Sequence, residues 1–404
     1  MVYLGVDWEA RKLRCAVAYG AQPPKNVKGC GSTLAEVREL VDRVRTDPDE
    51  PVHAVIECGA MYWVRLLFAA GAVVHIVDGK KALRFAESLC SSGAKDDARD
   101  ARTLAEMGRS TAHRTPAWEP PSEERQTFDR LARVMSRNAE ALSKLQQKLR
   151  SLLRELMPQV ESALSSLRAA WTLEFLTQAP TPHHAQAIQL DELEALFRSF
   201  GVHHKTRARL RAALLREWPM AACVAEVEAV EVRSLVEQIR HLLSAQSKLE
   251  DLLSAAMERS QEAELVTSIP GIGPRLSSLI LAIESGEGRD DLSVRMGSSP
   301  VFRGSGTDHR GRPKGQARMR RSAHPHDRRG VYLLGRMVAQ RTSWGEAMYN
   351  DGRARNQPAA TAYRRVARSM LRIVSSIRRT GRPYDESFYI ERLKAAGVPW
   401  AQAL

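Results

Sequence analysis

No stretch of this chain approaches the ~20 uncharged apolar residues that a membrane-spanning helix needs. The start, MVYLGVDWEA, lacks the basic stretch and long apolar run of a secretory signal. Both absences argue against a helical membrane protein and a secreted one, so the expected location is the cytoplasm. Cysteine is scarce. Cys15, Cys30, Cys58, Cys90 and Cys223 are odd in number, scattered and without a CxxC pair, which suggests neither a disulfide framework nor a zinc site. Acidic residues are nearly missing from one part of the sequence. From Arg303 to Arg382 there are about 20 Lys/Arg against about four Asp/Glu, a local excess of roughly +16 in a chain whose net charge is +14. A basic surface tuned for solubility would spread such charge; concentrated, it calls for a polyanion, and nucleic acid is the default.

What is present fits a folded protein of two or three domains: 404 residues, 43% of them apolar. The first hundred residues alternate strand and helix patterns. Val2 to Val6 is an apolar run ending at Asp7, and Leu13 to Tyr19 reads as its hairpin partner. Ser32 to Val44 has helical spacing behind a Ser/Thr cap. His53 to Ile56 is a buried-strand pattern ending at Glu57, Trp63 to Ala70 a helix closed by Gly71, and Val73 to Val77 a further strand. DARDARTLAEMG, Asp97 to Gly108, has helix-forming composition and a glycine stop.

The texture then turns to long helices. Leu142, Leu145, Leu149, Leu152 and Leu156 step by three and four, the seam of a heptad. Leu235, Ile239, Leu242, Leu249 and Leu253 form a second seam, with only Gln246 polar in its register, and Pro180, Pro182, His183 and His184 are expected in a loop between the two. The seams can pack on each other or on a second copy of the chain. Beyond them, Pro270-Gly271-Ile272-Gly273-Pro274 gives a helix-hairpin-helix pattern, a turn able to aim backbone N–H groups at phosphate. Residues 303–330 read as an exposed basic loop. A helix follows from Thr361 to Arg379, with an apolar stripe and six arginines for phosphate beside it. The expected domains are 1–115, 116–262 and 263–404.

Four acids carry the chemistry. Asp7 and Glu57 each end an apolar strand, while Asp97 and Asp100 are three apart and share a helix face. Converging carboxylates repel, and are stable mainly when cations such as Mg²⁺ neutralise them, two ions about 3.5–4 Å apart being usual for phosphodiester chemistry. Any one of these acids alone reads as a surface cap. The ordered set, strand-Asp, strand-Glu and DxxD on a helix, is that of the ribonuclease-H-like nucleases. Asp96 points about 100° away from Asp97 on a helix and suits an N-terminal cap. Glu9, two residues from Asp7, is an auxiliary candidate on the same strand face.

These residues resemble the bridge-RNA-guided insertion-sequence recombinases with a DEDD site, family one-ten among insertion sequences. The resemblance runs through LGVDWEARKLRCAVA, VIECGA and KDDARDARTLAE, where Asp96 stands in place of the family's threonine in K-T-D. It resumes at SIPGIGP, at GSSPVFRGSGT, which is similar to G-L-A-P-V-x-x-x-S-G, and at AYRRVARSMLRIVSSIRRTGRPYD. It implies an α/β ribonuclease-H-like (RuvC-like) N-terminal domain binding Mg²⁺ through Asp7, Glu57, Asp97 and Asp100. It further implies a C-terminal transposase domain, mostly α-helical by its pattern, whose serine, here Ser305, attacks DNA; the helical coiled-coil middle, roughly 110–260, rests on the leucine periodicity alone. The flanking Gly304 and Gly306 would leave that hydroxyl accessible, but it needs a base or metal to activate it. The implied partners are donor and target DNA and a guide RNA; a serine and acids on separate domains joined by coiled-coil helices would in addition suit a composite site between subunits, so a dimer that becomes a tetramer on DNA is expected. His309, His324 and His326 are expected in the basic loop and are left outside the site.

Three other readings compete. A Holliday-junction-resolvase-like nuclease needs the acids but not Ser305. A nucleic-acid-binding protein with decayed acids binds without cleaving. An actin-like sugar kinase shares the LGVD strand and hairpin but lacks the later glycine-rich nucleotide motif and has no use for the basic C-terminus.

Overall fold

The computed structural model describes residues 1–9, 11–89, 97–214, 222–282 and 325–404. The chain divides into two compact units, Met1–Pro121 and Ser122–Leu404.

The first unit is built on five strands, β1 (Val2–Trp8), β2 (Leu13–Tyr19), β3 (Lys25–Val27), β4 (Val52–Glu57) and β5 (Val73–Val77), in the order β3-β2-β1-β4-β5. β1 pairs antiparallel with β2, with Gly5 opposite Ala16, and parallel with β4, with Val6 level with Ile56. β4 continues in parallel with β5. Between the strands run α1 (Leu34–Val44) and α2 (Met61–Ala69), and after β5 follow α3 (Gly79–Leu89) and α4 (Asp97–Thr111). The Thr33 cap of α1 is a full capping box with Glu36. Gly71, at φ +84, turns the chain into β5 after α2.

Alternation sorts the strand residues between two faces. Val2, Leu4, Val6, Val52, Ala54 and Ile56 enter one core, packed with Val37, Leu40, Trp63 and Leu67 of α1 and α2. Tyr3, Gly5, Val55 and Val77 turn to the other face, where Ala101, Leu104, Ala105 and Met107 of α4 cover them. The helix expected to stop at Gly108 runs on to Thr111. Gly108 serves packing instead: a Cβ there would lie 2.7 Å from Val55 Cγ2 and 3.4 Å from Tyr3 Cδ1.

On the same face His53 and His75 meet, Nδ1 to Nε2 at 3.0 Å, and His75 Nδ1 lies 2.9 Å from the Thr115 carbonyl. Burial, the His75 ring and the Met1 ammonium hold the His53 pKa below its ordinary 6.5. The unfolded chain therefore takes up a proton first. The stability contributed by neutral His53 is whole above pH 6.5 and drains as pH falls toward the folded value. Melting curves of wild type and His53→Asn are expected to diverge above pH 6.5 and converge on acidification; parallel pH dependences would refute this.

The second unit is helical. It comprises α5 (Glu123–Leu156), α6 (Pro158–Ala163), α7 (Ala170–Gln178), α8 (Pro182–Ala187), α9 (Leu190–Ser199), α10 (His204–Leu214), α11 (Ala222–Glu258), α12 (Gln261–Thr267) and α13 (Pro274–Ala282). Then come α14 (Pro325–Arg341), α15 (Ser343–Ala354), α16 (Ala359–Thr380) and α17 (Glu386–Ala395). The two leucine seams pack on each other within the chain as antiparallel α5 and α11. Leu142, Leu149 and Leu156 share a core with Leu235 and Ile239, and Lys148 reaches Glu231 at 2.7 Å. Gln246 accepts a hydrogen bond at 3.1 Å from the buried Asn138 Nδ2, which also donates to the Leu242 carbonyl at 3.0 Å, so a half-buried amide pair fixes the register. The region expected as a loop around Pro182 holds a short helix with that proline in its first turn, where its missing N–H costs nothing. A second core joins the far halves of α5 and α11, through Phe128, Leu131 and Leu253, to α12–α16.

Candidate active site

Three of the four sequence-selected acids have described side chains, and all four lie on elements whose placement follows from packing. Asp7 is half-buried near the end of β1, and Glu57 is exposed at the end of β4. Val6 pairs with Ile56, so each acid is the next residue along neighbouring parallel strands. Both belong to the alternation set that faces α4. Asp97 opens α4 and Asp100 is half-buried one turn on; nothing is described of the Asp97 side chain.

The level of α4 against β1 is set by small residues. Tyr3 lies by Gly108, and Gly5 lies by Ala101 and Ala105. Moving toward the C-terminal end of β1 thus moves toward the N-terminus of α4. Two residues of strand advance about 6.6 Å and a helical turn about 5.4 Å, which brings Asp7 level with the first turn of α4, where Asp97 and Asp100 stand. Nothing larger than glycine fits at position 5: a Cβ there would sit 2.0 Å from the Ala101 carbonyl oxygen and 2.3 Å from the Ala105 nitrogen.

Glu57 is placed by another glycine. A Cβ on Gly79 would fall 1.8 Å from Glu57 Oε1, so the carboxylate rests against the first residue of α3, an end that favours negative charge. The neighbouring Asp78 caps that helix, accepting from the Lys80 and Lys81 backbone N–H groups at 3.1 and 3.3 Å. Glu9 takes a different course. β1 ends at Trp8, and Glu9 enters the turn, where Arg14 Nε at 3.0 Å and Lys12 Nζ at 3.5 Å hold it; these contacts keep its pKa low. Asp96 lies outside the described residues.

Among the described residues no three His, Cys, Asp or Glu side chains stand close enough to hold a metal ion. The donor chemistry suits a hard cation: Asp7, Glu57 and Asp100 offer carboxylate oxygens only, the ligands Mg²⁺ prefers. Ser305 and residues 303–324 of its basic segment also lie outside the described residues.

In the second unit the arginines of α16 separate into two kinds. Arg365 pairs with Asp351 at 2.6 Å, and Arg378 with Glu262 at 2.6 Å. Arg364, Arg368 and Arg372 recur every fourth residue along one stripe, beside the buried Val366, Met370 and Val374. Burial, then Arg328, lowers the Arg364 pKa; burial, then Arg372, lowers that of Arg368. Like charges are crowded here. Helical spacing signalled the stripe, but not which arginines were already neutralised.

Residues 4–158 match the transposase family of the DEDD IS110 type, a stretch containing all four acids. The N-terminal part of the chain is thus similar to an IS110-type transposase domain. Among curated relatives, the "Mini-circle putative transposase for IS117" of Streptomyces coelicolor is 27% identical over 337 residues, covering 76% of this chain and 78% of its own. The "Insertion element IS110 uncharacterized 43.6 kDa protein" of the same species is 23% identical over 337 residues, 81% of this chain and 79% of its own. The corresponding IS116 protein of Streptomyces clavuligerus, at 44.8 kDa, is 27% identical over 252 residues, 60% of this chain and 61% of its own. All three relatives are named as proteins of insertion elements or their like, and one of them as a putative transposase.

Proposed function

We propose that the protein is an RNA-guided recombinase of an insertion sequence, which cuts and exchanges strands of donor and target DNA through a serine nucleophile. The observation that carries the reading is the transposase match over residues 4–158, because the four acids fall inside it. The sheet order β3-β2-β1-β4-β5, with acids at the ends of β1 and β4 and on the helix covering them, supports a ribonuclease-H-like (RuvC-like) domain. The basic excess of roughly +16 within 303–382 supports a nucleic-acid partner.

Asp7, Glu57, Asp97 and Asp100 are the residues to hold Mg²⁺, which when bound neutralises phosphate charge and stabilises the departing oxygen. The protein's own part is to fix those carboxylates, through the Gly5–Ala101 contact and the register of β1 with β4. Ser305 attacks the scissile phosphorus, and the bond to the 3′ oxygen breaks. The serine gives up its proton and the departing oxygen takes one up, leaving a 5′-phosphoserine and a free 3′-hydroxyl. Attack by a 3′-hydroxyl of the partner DNA reverses these changes, joins the strands and restores the serine. In this reading the chain acts as a dimer that forms a tetramer on DNA, and an unchanging monomer mass with and without nucleic acid would contradict it.

The guide is tested by sequencing the RNA that co-purifies with the full chain. One discrete species encoded beside the gene is expected; bulk cellular RNA alone would remove the guide from the account.

A further inference from the structure

A cleft of about 1220 Å³ lies between α16 and α17. One face of α16 lines it with Ser369, Arg372, Ile373, Ser376 and Thr380; Gly381, at φ +65, ends that helix, and Arg379 and Arg382 stand at the turn. α17 closes the other side with Phe388, Tyr389 and Arg392. Four guanidinium groups therefore border one cleft. Among the described residues none of Arg372, Arg379, Arg382 and Arg392 has an ion-pair partner.

The two carboxylates at the cleft are held by neutral donors rather than by its arginines, and are outnumbered by the four guanidinium groups. Asp385 caps α17, accepting from the Phe388 N–H at 3.0 Å and from the Ser387 hydroxyl at 2.6 Å. Glu386 accepts from the Ser343 N–H at 2.7 Å. The positive charge is left for an outside anion. At the rim, Phe388 is 58% exposed, with the Arg392 guanidinium 5.8 Å from its centroid. An exposed ring amid arginines suits a polymer that carries phosphates and flat, unpaired bases. Duplex bases are already stacked on one another and offer the ring no face.

We propose that this cleft cradles a single-stranded nucleic-acid segment, its phosphates along Arg372, Arg379, Arg382 and Arg392 and one unpaired base stacked on Phe388. The inference shares a nucleic-acid partner with the proposed function but rests on the cleft's own charge and shape. It requires neither metal nor serine chemistry, so loss of cleavage does not bear on it.

The test is fluorescence anisotropy of the full chain with labelled DNA and RNA single strands of about 12 nucleotides, and with the matching duplex. Phe388→Leu is expected to weaken single-strand binding by about tenfold and leave duplex binding unchanged, while Phe388→Tyr, which keeps the ring, binds like wild type. Arg382→Gln and Arg392→Gln are each expected to flatten the dependence of log K on log salt by about 0.7. A larger loss on RNA assigns the cradle to a guide strand, a larger loss on DNA to an opened DNA strand, and equal losses to backbone and base recognition blind to the 2′-hydroxyl. Unchanged single-strand binding in Phe388→Leu and in an Arg382→Gln/Arg392→Gln double variant overturns the proposal. So does equal weakening of duplex and single strand in Phe388→Leu.

Discussion

Asp7→Asn is expected to lower Mg²⁺-dependent strand cleavage by on the order of a thousandfold, while the variant binds nucleic acid as wild type does. The substitution keeps shape and removes one negative charge. Several kcal/mol of transition-state charge stabilisation is what a bound metal ion supplies, and each 1.36 kcal/mol is a factor of ten in rate. Asp7 is the best placed of the acids to show this. It is half-buried on the α4 face of the sheet, one residue beyond the Val6–Ile56 pair and level with the first turn of α4. Cleavage of end-labelled DNA over a Mg²⁺ titration provides the measurement. Activity within tenfold of wild type at saturating Mg²⁺ would remove Asp7 from the metal site.

Gly5→Val is expected to cost the first unit about 3 kcal/mol or more, and to abolish cleavage without touching any acid. Its Cβ would collide with the Ala101 carbonyl and the Ala105 nitrogen, which are backbone atoms and cannot rotate aside. Overpacking of a tight contact commonly costs ~1–3 kcal/mol, and here β1 and α4 must separate. A fall of about 10 °C in the melting midpoint follows for a unit of this size. Gly273→Ala is the control, since nothing lies within 4 Å of a Cβ at that position and its melting is expected to be unchanged. If Gly5→Val melts with wild type, the Gly5–Ala101 contact does not set the level of α4.

The strand ends were legible because alternation and apolar runs directly encode which residues face a core. The runs Val2 to Val6, His53 to Ile56 and Val73 to Val77 were read to within two residues of β1, β4 and β5. The contact that levels the site was not. Gly5, Ala101, Ala105 and Gly108 act through what they lack, and a small residue in a sequence does not name the backbone it admits. Gly108 therefore read as a helix stop. The seams of α5 and α11 were visible as periods, but a period does not name its partner; Gln246 stood out as polar, and Asn138, which satisfies it, lies 108 residues away. Within α16 the six arginines formed one class in sequence, because ion pairs with Asp351 and Glu262 depend on distant elements. Phe388 and Arg392 gave no signal, as their meaning arises only across the cleft from Arg372. Ser305 has no periodic or charge signature, and its role rests on family resemblance.

The central claim, strand exchange through a serine supported by the four acids, is tested most directly by trapping. End-labelled donor and target DNA would be incubated with Mg²⁺ and the full chain carrying its co-purified RNA, then resolved under denaturing conditions. A covalent adduct on the 5′ side of the break is predicted for wild type, with neither adduct nor cleavage for Ser305→Ala or Asp7→Asn. Cleavage by Ser305→Ala, with no adduct from wild type, would contradict the account and leave a metal-dependent nuclease in its place.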